Sequence, residues 1–265
     1  MPARNPLITF IRRIQKLETP IANFNDNYLG SFTNFELLPA AAVAAGSDKL
    51  LLLSGTGTEV VARAPKGGVR LTTQATIPAD NDQVQVAGVA DTNMGKATTA
   101  ANGFNLIGTA ELRLAFGMAL PAITSLFASG GYDENITDVD PGGTAGDGAK
   151  FLFVPSADKG DLTVDPGLTT AQYSNWICHY KVAGADVFAA TTVPVVAGTD
   201  YQFEIVIGTD RKPRFYINNS LVYTGTNAMT SGSQLGTLFG VEVGASAAAQ
   251  KSVDIRYVKV QRTIA

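Results

Sequence analysis

The stretch "RFYINNSLVYTG", Arg214 to Gly225, sets two short runs rich in aromatic and branched residues on either side of Asn218-Asn219. A two-residue turn of the mirror-image type needs positive φ at both central positions, and Asn is the non-glycine residue that tolerates this best. The stretch therefore reads as a β-hairpin. With Asn218 and Asn219 as the turn, Ile217 faces Ser220, Tyr216 faces Leu221, Phe215 faces Val222 and Arg214 faces Tyr223. One face then carries Phe215, Ile217 and Val222, and the other carries Tyr216, Leu221 and Tyr223 beside Arg214. A hairpin apolar on both faces fits a strand pair covered by a second sheet on one side and lining a curved or contact surface on the other.

The same alternation extends outward through most of the chain. "KLLLLSG", "EVVARAP", "GGVRLTTQA" and "DQVQVAGV" follow one another with turn clusters between them, and "TAELRLAFGM" sets Leu112, Leu114 and Phe116 on one face. "LPAITSLFASG", Leu120 to Gly130, reads as a short helix or a lid-like loop, and "GGYDENITDVDPGGTAGDGAK", Gly130 to Lys150, as a long polar loop before the strand "KFLFVPS". Towards the C-terminal side come "NWICHYKVAG", "DYQFEIVIG", "LFGVEVGAS" and "SVDIRYVKVQR". In the last of these, Val253, Ile255 and Tyr257 share a face until Val258 and Val260 reverse the phase, the mark of a β-bulge. About a dozen short strands with turn signals between them predict an all-β, two-sheet antiparallel sandwich of the jelly-roll kind.

Composition agrees. The chain has 265 residues, enough for one large domain, and only 16% of them are charged. The net charge of −3 offers no basic field for phosphates, so no nucleic acid is expected as a partner. Cys178 is the only cysteine, which excludes an internal disulfide and a cysteine-cluster zinc site. The longest weakly apolar run, "LLPAAAVAAG", is too short to span a bilayer, and "MPARNPLITFIRRIQKLETP" lacks the pattern of a secretory signal. The expectation is a soluble protein made in the cytoplasm, with no membrane partner.

The segment 1–24 differs from the domain that follows at 25–265. Phe10, Ile11, Ile14 and Leu17 recur at helical spacing with Arg12 and Arg13 among them, which predicts a short amphipathic helix closed by Pro20. It packs on its own domain or forms an arm that docks on a neighbouring subunit or larger assembly.

Candidate chemistry is sparse. Asp133, Glu134, Asp138, Asp140 and Asp147 cluster among glycines, and hard oxygen donors on a loop suit Ca²⁺, although the spacing is not that of an EF-hand; no other cofactor is indicated. His179 is the only histidine, and alternation turns it away from Cys178, so the two cannot act together. It reads as a partly exposed structural residue on a face with Ile177 and Lys181, opposite Trp176, Cys178 and Tyr180. Tyr173, Tyr216 and Tyr223 offer aromatic faces for a glycan or a protein contact.

The run "GTDYQFEIVIGTDRKPRFYINNSLV" followed by "VEVGASAAAQKSVDIRYVKVQR" resembles the concanavalin A-like lectin/glucanase jelly roll. With "GGVRLTT" and "DNDQV" it looks like the version of that fold found in virion structural proteins of tailed bacteriophages. That resemblance implies a non-enzymatic part of the virus particle, foremost a capsid decoration or cement protein on the capsid exterior, with the major capsid protein and its own copies, as dimer or trimer, for partners. The segment around Phe10, Ile11, Arg12, Arg13, Ile14 and Leu17 would then dock on the shell. The alternative it implies is a glycan- or receptor-binding module of a tail or head fibre that contacts a cell-surface glycan. Glucanases of this fold carry their carboxylates as Glu-x-Asp-x-x-Glu on one strand, and this chain has no such strand: Glu59, Glu111, Glu204 and Glu242 each stand alone. Catalytic activity is therefore not expected.

Overall fold

The computed structural model describes residues 50–54, 59–74, 82–88, 104–106, 109–134, 146–244 and 249–264. The segment 1–24 and the boundary expected near residue 25 lie outside the described residues. The strands are β1 (Leu50–Ser54), β2 (Val60–Arg63), β3 (Val69–Thr72), β4 (Gln83–Gly88), β5 (Phe104–Asn105), β6 (Thr109–Ala119), β7 (Leu126–Asp133) and β8 (Gly148–Phe153). They continue with β9 (Asn175–Val182), β10 (Ala185–Pro194), β11 (Tyr201–Ile207), β12 (Pro213–Ile217), β13 (Ser220–Thr224), β14 (Gln234–Val243) and β15 (Ser252–Ile264).

Two antiparallel sheets face each other. One runs β1-β4-β14-β7-β8-β9-β10, with β5 beside β14, and the other runs β13-β12-β11-β6-β15-β3-β2. The facing strands bury alternate residues between them: Leu112, Leu114, Phe116 and Met118 from β6, Tyr201, Phe203, Ile205 and Ile207 from β11, and Phe151 and Phe153 from β8. Rings join the two sheets. Phe203 lies 5.0 Å from Phe116 in its own sheet, and 4.6 Å from Phe151 and 4.8 Å from Trp176 in the opposite one. Gly130 on β7 makes this packing possible, because a Cβ there would stand 2.9 Å from the rings of both Phe116 and Phe239.

The hairpin closes as read, with Asn218 and Asn219 both at positive φ, +49° and +65°. Its register differs from the sequence reading. Tyr216 faces Leu221, but a bulge then shifts the ladder so that Phe215 faces Tyr223 and Arg214 faces Thr224. Tyr223 is thereby turned inward, 6.1 Å from Phe215 and 6.2 Å from Tyr180. The bulge expected in β15 is present between Ile255 and Tyr257, one residue earlier than read, so Val253, Ile255, Val258 and Val260 point into the core and Tyr257 does not. "LPAITSLFASG" is neither helix nor lid: from Leu126 it is β7, buried along its whole length. Residues 155–174, with short 3₁₀ turns at Lys159–Asp161 and Gln172–Ser174, bring Leu162 and Tyr173 onto Phe127, Leu152, Val154 and Ile177 on the outer face of the larger sheet.

Phe203 contacts rings on both sheets, so Phe203→Ala removes the group that joins them. The variant is expected to lose about 3–5 kcal/mol of stability, measured by urea denaturation. Phe203→Leu should lose distinctly less.

Candidate functional site

The outer face of the seven-stranded sheet is the half-open one. Alternation that buries Leu112, Leu114 and Phe116 turns Glu111, Arg113, Ala115 and Gly117 outward on β6. On β11 it turns out Gln202 and Glu204, on β12 Arg214 and Tyr216, and on β15 beyond the bulge Tyr257, Lys259 and Gln261. Register aligns these in rows. Tyr216, Glu204, Ala115 and Lys259 lie across four adjacent strands, and Gln202, Gly117 and Tyr257 form the next row. The two small residues of β6 thus make a floor, with polar and aromatic side chains rising from the strands on either side.

Charge on this floor is concentrated around one guanidinium. Arg113 Nη1 lies 3.0 Å from Glu204 Oε1, and Arg113 Nε lies 3.4 Å from Glu111 Oε1, so two carboxylates from different strands converge on it. Tyr257 lies over Gly117, where a Cβ would be only 2.8 Å from ring atom Cε1. Burial, and secondarily the negative charge of Glu204, push the Tyr257 phenol above its ordinary pKa, so it stays protonated at neutral pH. The site therefore offers a carboxylate and a phenolic donor within electrostatic reach of each other, on a partly exposed sheet face. Further along the face, the charges satisfy one another: Arg70 binds both oxygens of Asp254 at 2.6 and 2.9 Å, and Arg256 joins Asp254 to Asp200.

The outer face of the larger sheet is different in kind. Asp133 on β7 receives Lys150 at 2.8 Å and Lys181 at 3.1 Å, and His179 Nε2 meets Asp186 Oδ1 at 2.8 Å. All of these are buried. His179 is thus fully enclosed, stacked on Phe188 with ring centroids 4.6 Å apart, and not partly exposed as the sequence suggested. It does point away from Cys178, which packs in the core.

Of the glycine-rich loop's carboxylates, Asp133, Glu134 and Asp147 lie among the described residues, and each is engaged by donors of the protein itself. Asp133 is engaged by two ammonium groups. Asp147 accepts from the backbone of Ala183 and Thr230 and from the Ser233 hydroxyl, and Glu134 Oε2 accepts from the backbone of Asp147 at 2.8 Å. Asp147 thereby ties three loops together. Asp138 and Asp140 lie outside the described residues, as do Phe10, Ile11, Arg12, Arg13, Ile14 and Leu17. Among the described residues no group of three or more His, Cys, Asp or Glu side chains is placed to hold a metal ion. Of the three tyrosines, Tyr173 is buried under the 155–174 segment, with its hydroxyl 3.4 Å from Asp165, and Tyr223 turns inward; only Tyr216 stands on the half-open face.

Sequence reasoning did not nominate Arg113, Gln202, Tyr257 or Lys259. Glu111 and Glu204 looked solitary because the sheet order that brings β6 between β11 and β15 is not written locally. The available signal was the pair of small residues, Ala115 and Gly117, at successive outward positions of an otherwise well-packed strand.

No protein-family model matches the sequence, and no curated protein matches it. Solved structures do. Alginate lyase A1-II′, a member of polysaccharide lyase family 7, superposes with a TM-score of 0.54 at 10% identity over 82% of this chain and 96% of that one. This chain has the concanavalin A-like jelly-roll fold. An endo-acting O-glycanase of the human gut microbiota gives a TM-score of 0.53 at 12% identity, covering 84% of this chain and 96% of its own. The β-glucanase of Bacillus licheniformis gives 0.51 at 12% identity, covering 85% and 96%. At such identities the likeness establishes the fold and nothing finer. These neighbours are polysaccharide-degrading enzymes, and they overturn the expectations of a capsid decoration or cement protein, of a fibre module and of a chain without catalytic activity.

The buried histidine has a consequence for acid stability. Burial holds His179 below the ordinary imidazole range, with Lys150 acting in the same direction and Asp186 against it. A lowered folded-state value contributes stability above the unfolded value of about 6.5, lost as pH falls through the folded one. The denaturation midpoint should therefore drop on acidification from neutral pH, and the His179→Gln variant should show a shallower drop over the same range.

Proposed function

We propose that this chain binds and cleaves a polysaccharide laid across the outer face of its seven-stranded sheet. The observation that supports the reading is the floor of Ala115 and Gly117 flanked by Glu204, Arg113, Tyr216, Tyr257 and Lys259. The short side chain of Ala115, between Glu204 and Lys259 in its row, leaves room for a sugar ring, and the Tyr257 ring over Gly117 stands beside it. Aromatic faces suit the apolar faces of such rings, and ion-paired carboxylates accept hydrogen bonds from their hydroxyls. The fold is shared with enzymes whose names describe cleavage of alginate, β-glucan and mucin O-glycans.

Breaking a glycosidic C–O bond requires a proton on the departing oxygen and a base elsewhere. Tyr257, kept protonated, supplies the first, and Glu204 supplies the second, either to a water molecule in hydrolysis or to a ring C–H beside a sugar carboxylate in elimination. Arg113 fixes the Glu204 carboxylate in place between β6 and β11.

The purified full chain incubated with a panel of neutral and uronate-containing polysaccharides should release shortened products from one of them. New reducing ends without unsaturation would mark hydrolysis, and ultraviolet-absorbing unsaturated ends would mark elimination. Glu204→Gln and Tyr257→Phe should each lower the rate by about 10²–10⁴-fold while leaving thermal melting unchanged. Failure to bind or cleave any member of the panel, or full activity in both variants, would refute the assignment.

A further inference from the structure

We propose that two copies of this chain join along the outer edge of β10, which ends the larger sheet among the described residues, antiparallel about a two-fold axis at Phe188, so that the sheet runs unbroken from one copy into the other. The edge is defined by the turn before it. Ala183 and Gly184 both have positive φ, +50° and +82°, so the β9-β10 hairpin closes through a two-residue mirror-image turn and Val182 and Ala185 exchange both hydrogen bonds. Alternation in an antiparallel ladder then directs the amides and carbonyls of Asp186, Phe188 and Ala190 away from β9. Among the described residues no strand takes up these groups, since β10 ends its sheet.

Sheet edges in soluble proteins are blunted by lysines, prolines and bulges. On β10 these devices come only after Ala190, at the register shift before Pro194. From Ala185 to Ala190 the ladder is regular and the one charged residue is Asp186, whose carboxylate is folded against His179 and 8% exposed. Phe188, Ala189 and Ala190 are half-buried, as residues on an open edge are.

A second copy fits this edge because the run is self-complementary. With the axis at Phe188, Asp186 of each copy faces Ala190 of the other, so no like charges meet. The three outward residues of each copy form facing pairs that exchange both hydrogen bonds. Val187 and Ala189 alternate with them towards the core side, and the two Phe188 rings come side by side, each already stacked on its own His179. The arrangement is isologous and closes on itself, as two-fold contacts do.

Sedimentation of the full chain over a dilution series, with hydrogen exchange across residues 185–194, tests this. The wild type should pass from monomer to dimer as concentration rises, and the amides of Asp186, Phe188 and Ala190 should become protected in step. Ala190→Pro removes one outward N–H and no bond to β9, and Ala190→Asp sets a carboxylate opposite Asp186. Each should weaken association by about tenfold or more; the second answers the question if the first fails to fold. A wild type that stays monomeric throughout would overturn the proposal. So would a dimer of undiminished strength in both variants with the β10 amides exchanging freely. Neither result depends on whether the other sheet cleaves a polysaccharide.

Discussion

Two twisted sheets with no disulfide between them stay in one alignment only if their inner faces interlock, and here the interlock is a set of rings centred on Phe203. Phe116 and Phe203 stack within one sheet, and Phe151, Trp176 and Phe239 meet them from the other. The gap between packed sheets is about 10 Å, which aromatic side chains reach across from both sides. Gly130 belongs to the same constraint, since its missing side chain is the space the Phe116 and Phe239 rings occupy. The alignment set by these rings determines which residues of β6, β11 and β15 are pushed outward, and so the outer face inherits its geometry from the core.

The two outer faces are used in opposite ways. One is enclosed in part by the 155–174 segment and carries its charges inside, where Lys150 and Lys181 share Asp133. Charges buried this deeply are tolerated only when paired, and a lone lysine there would cost several kcal/mol. The other face is left half-open, and its ion pairs stand where a ligand can compete for them. Covering the second face as well would bury more surface; leaving it half-open keeps its side chains accessible to solvent.

Much of this was legible in the sequence. Period-two alternation in β3, β6, β11 and the first part of β15 reported which residues face inward, because burial on one side of a strand leaves that pattern directly. By contrast, β9 alternates and is buried on both faces, which hid the enclosure of His179. Asn218-Asn219 announced its turn for a steric reason that needs no tertiary context. What failed was anything governed by one-residue shifts or by distant partners. The bulges in β13 and β15 moved Tyr223 inward and Tyr257 outward, exchanging a predicted contact residue for an unpredicted one. Glu204 and Arg113 are 91 positions apart in sequence, and nothing in either neighbourhood says that β11 lies against β6. In the acidic loop, too, the partners are distant in sequence: Asp133 is engaged by Lys150 and Lys181, and Asp147 by Ala183, Thr230 and Ser233.

The position of β6 also governs how the molecule comes into being. It sits between β11 and β15, so both of its hydrogen-bonded neighbours lie far downstream in the chain. A ribosome that has delivered β6 has delivered neither, so one edge of the strand waits for β11 at residues 201–207 and the other for β15 at residues 252–264. Closure of the smaller sheet is thus a late event during synthesis, and the long, apolar β6 is the segment a chaperone would have most reason to hold in the interval.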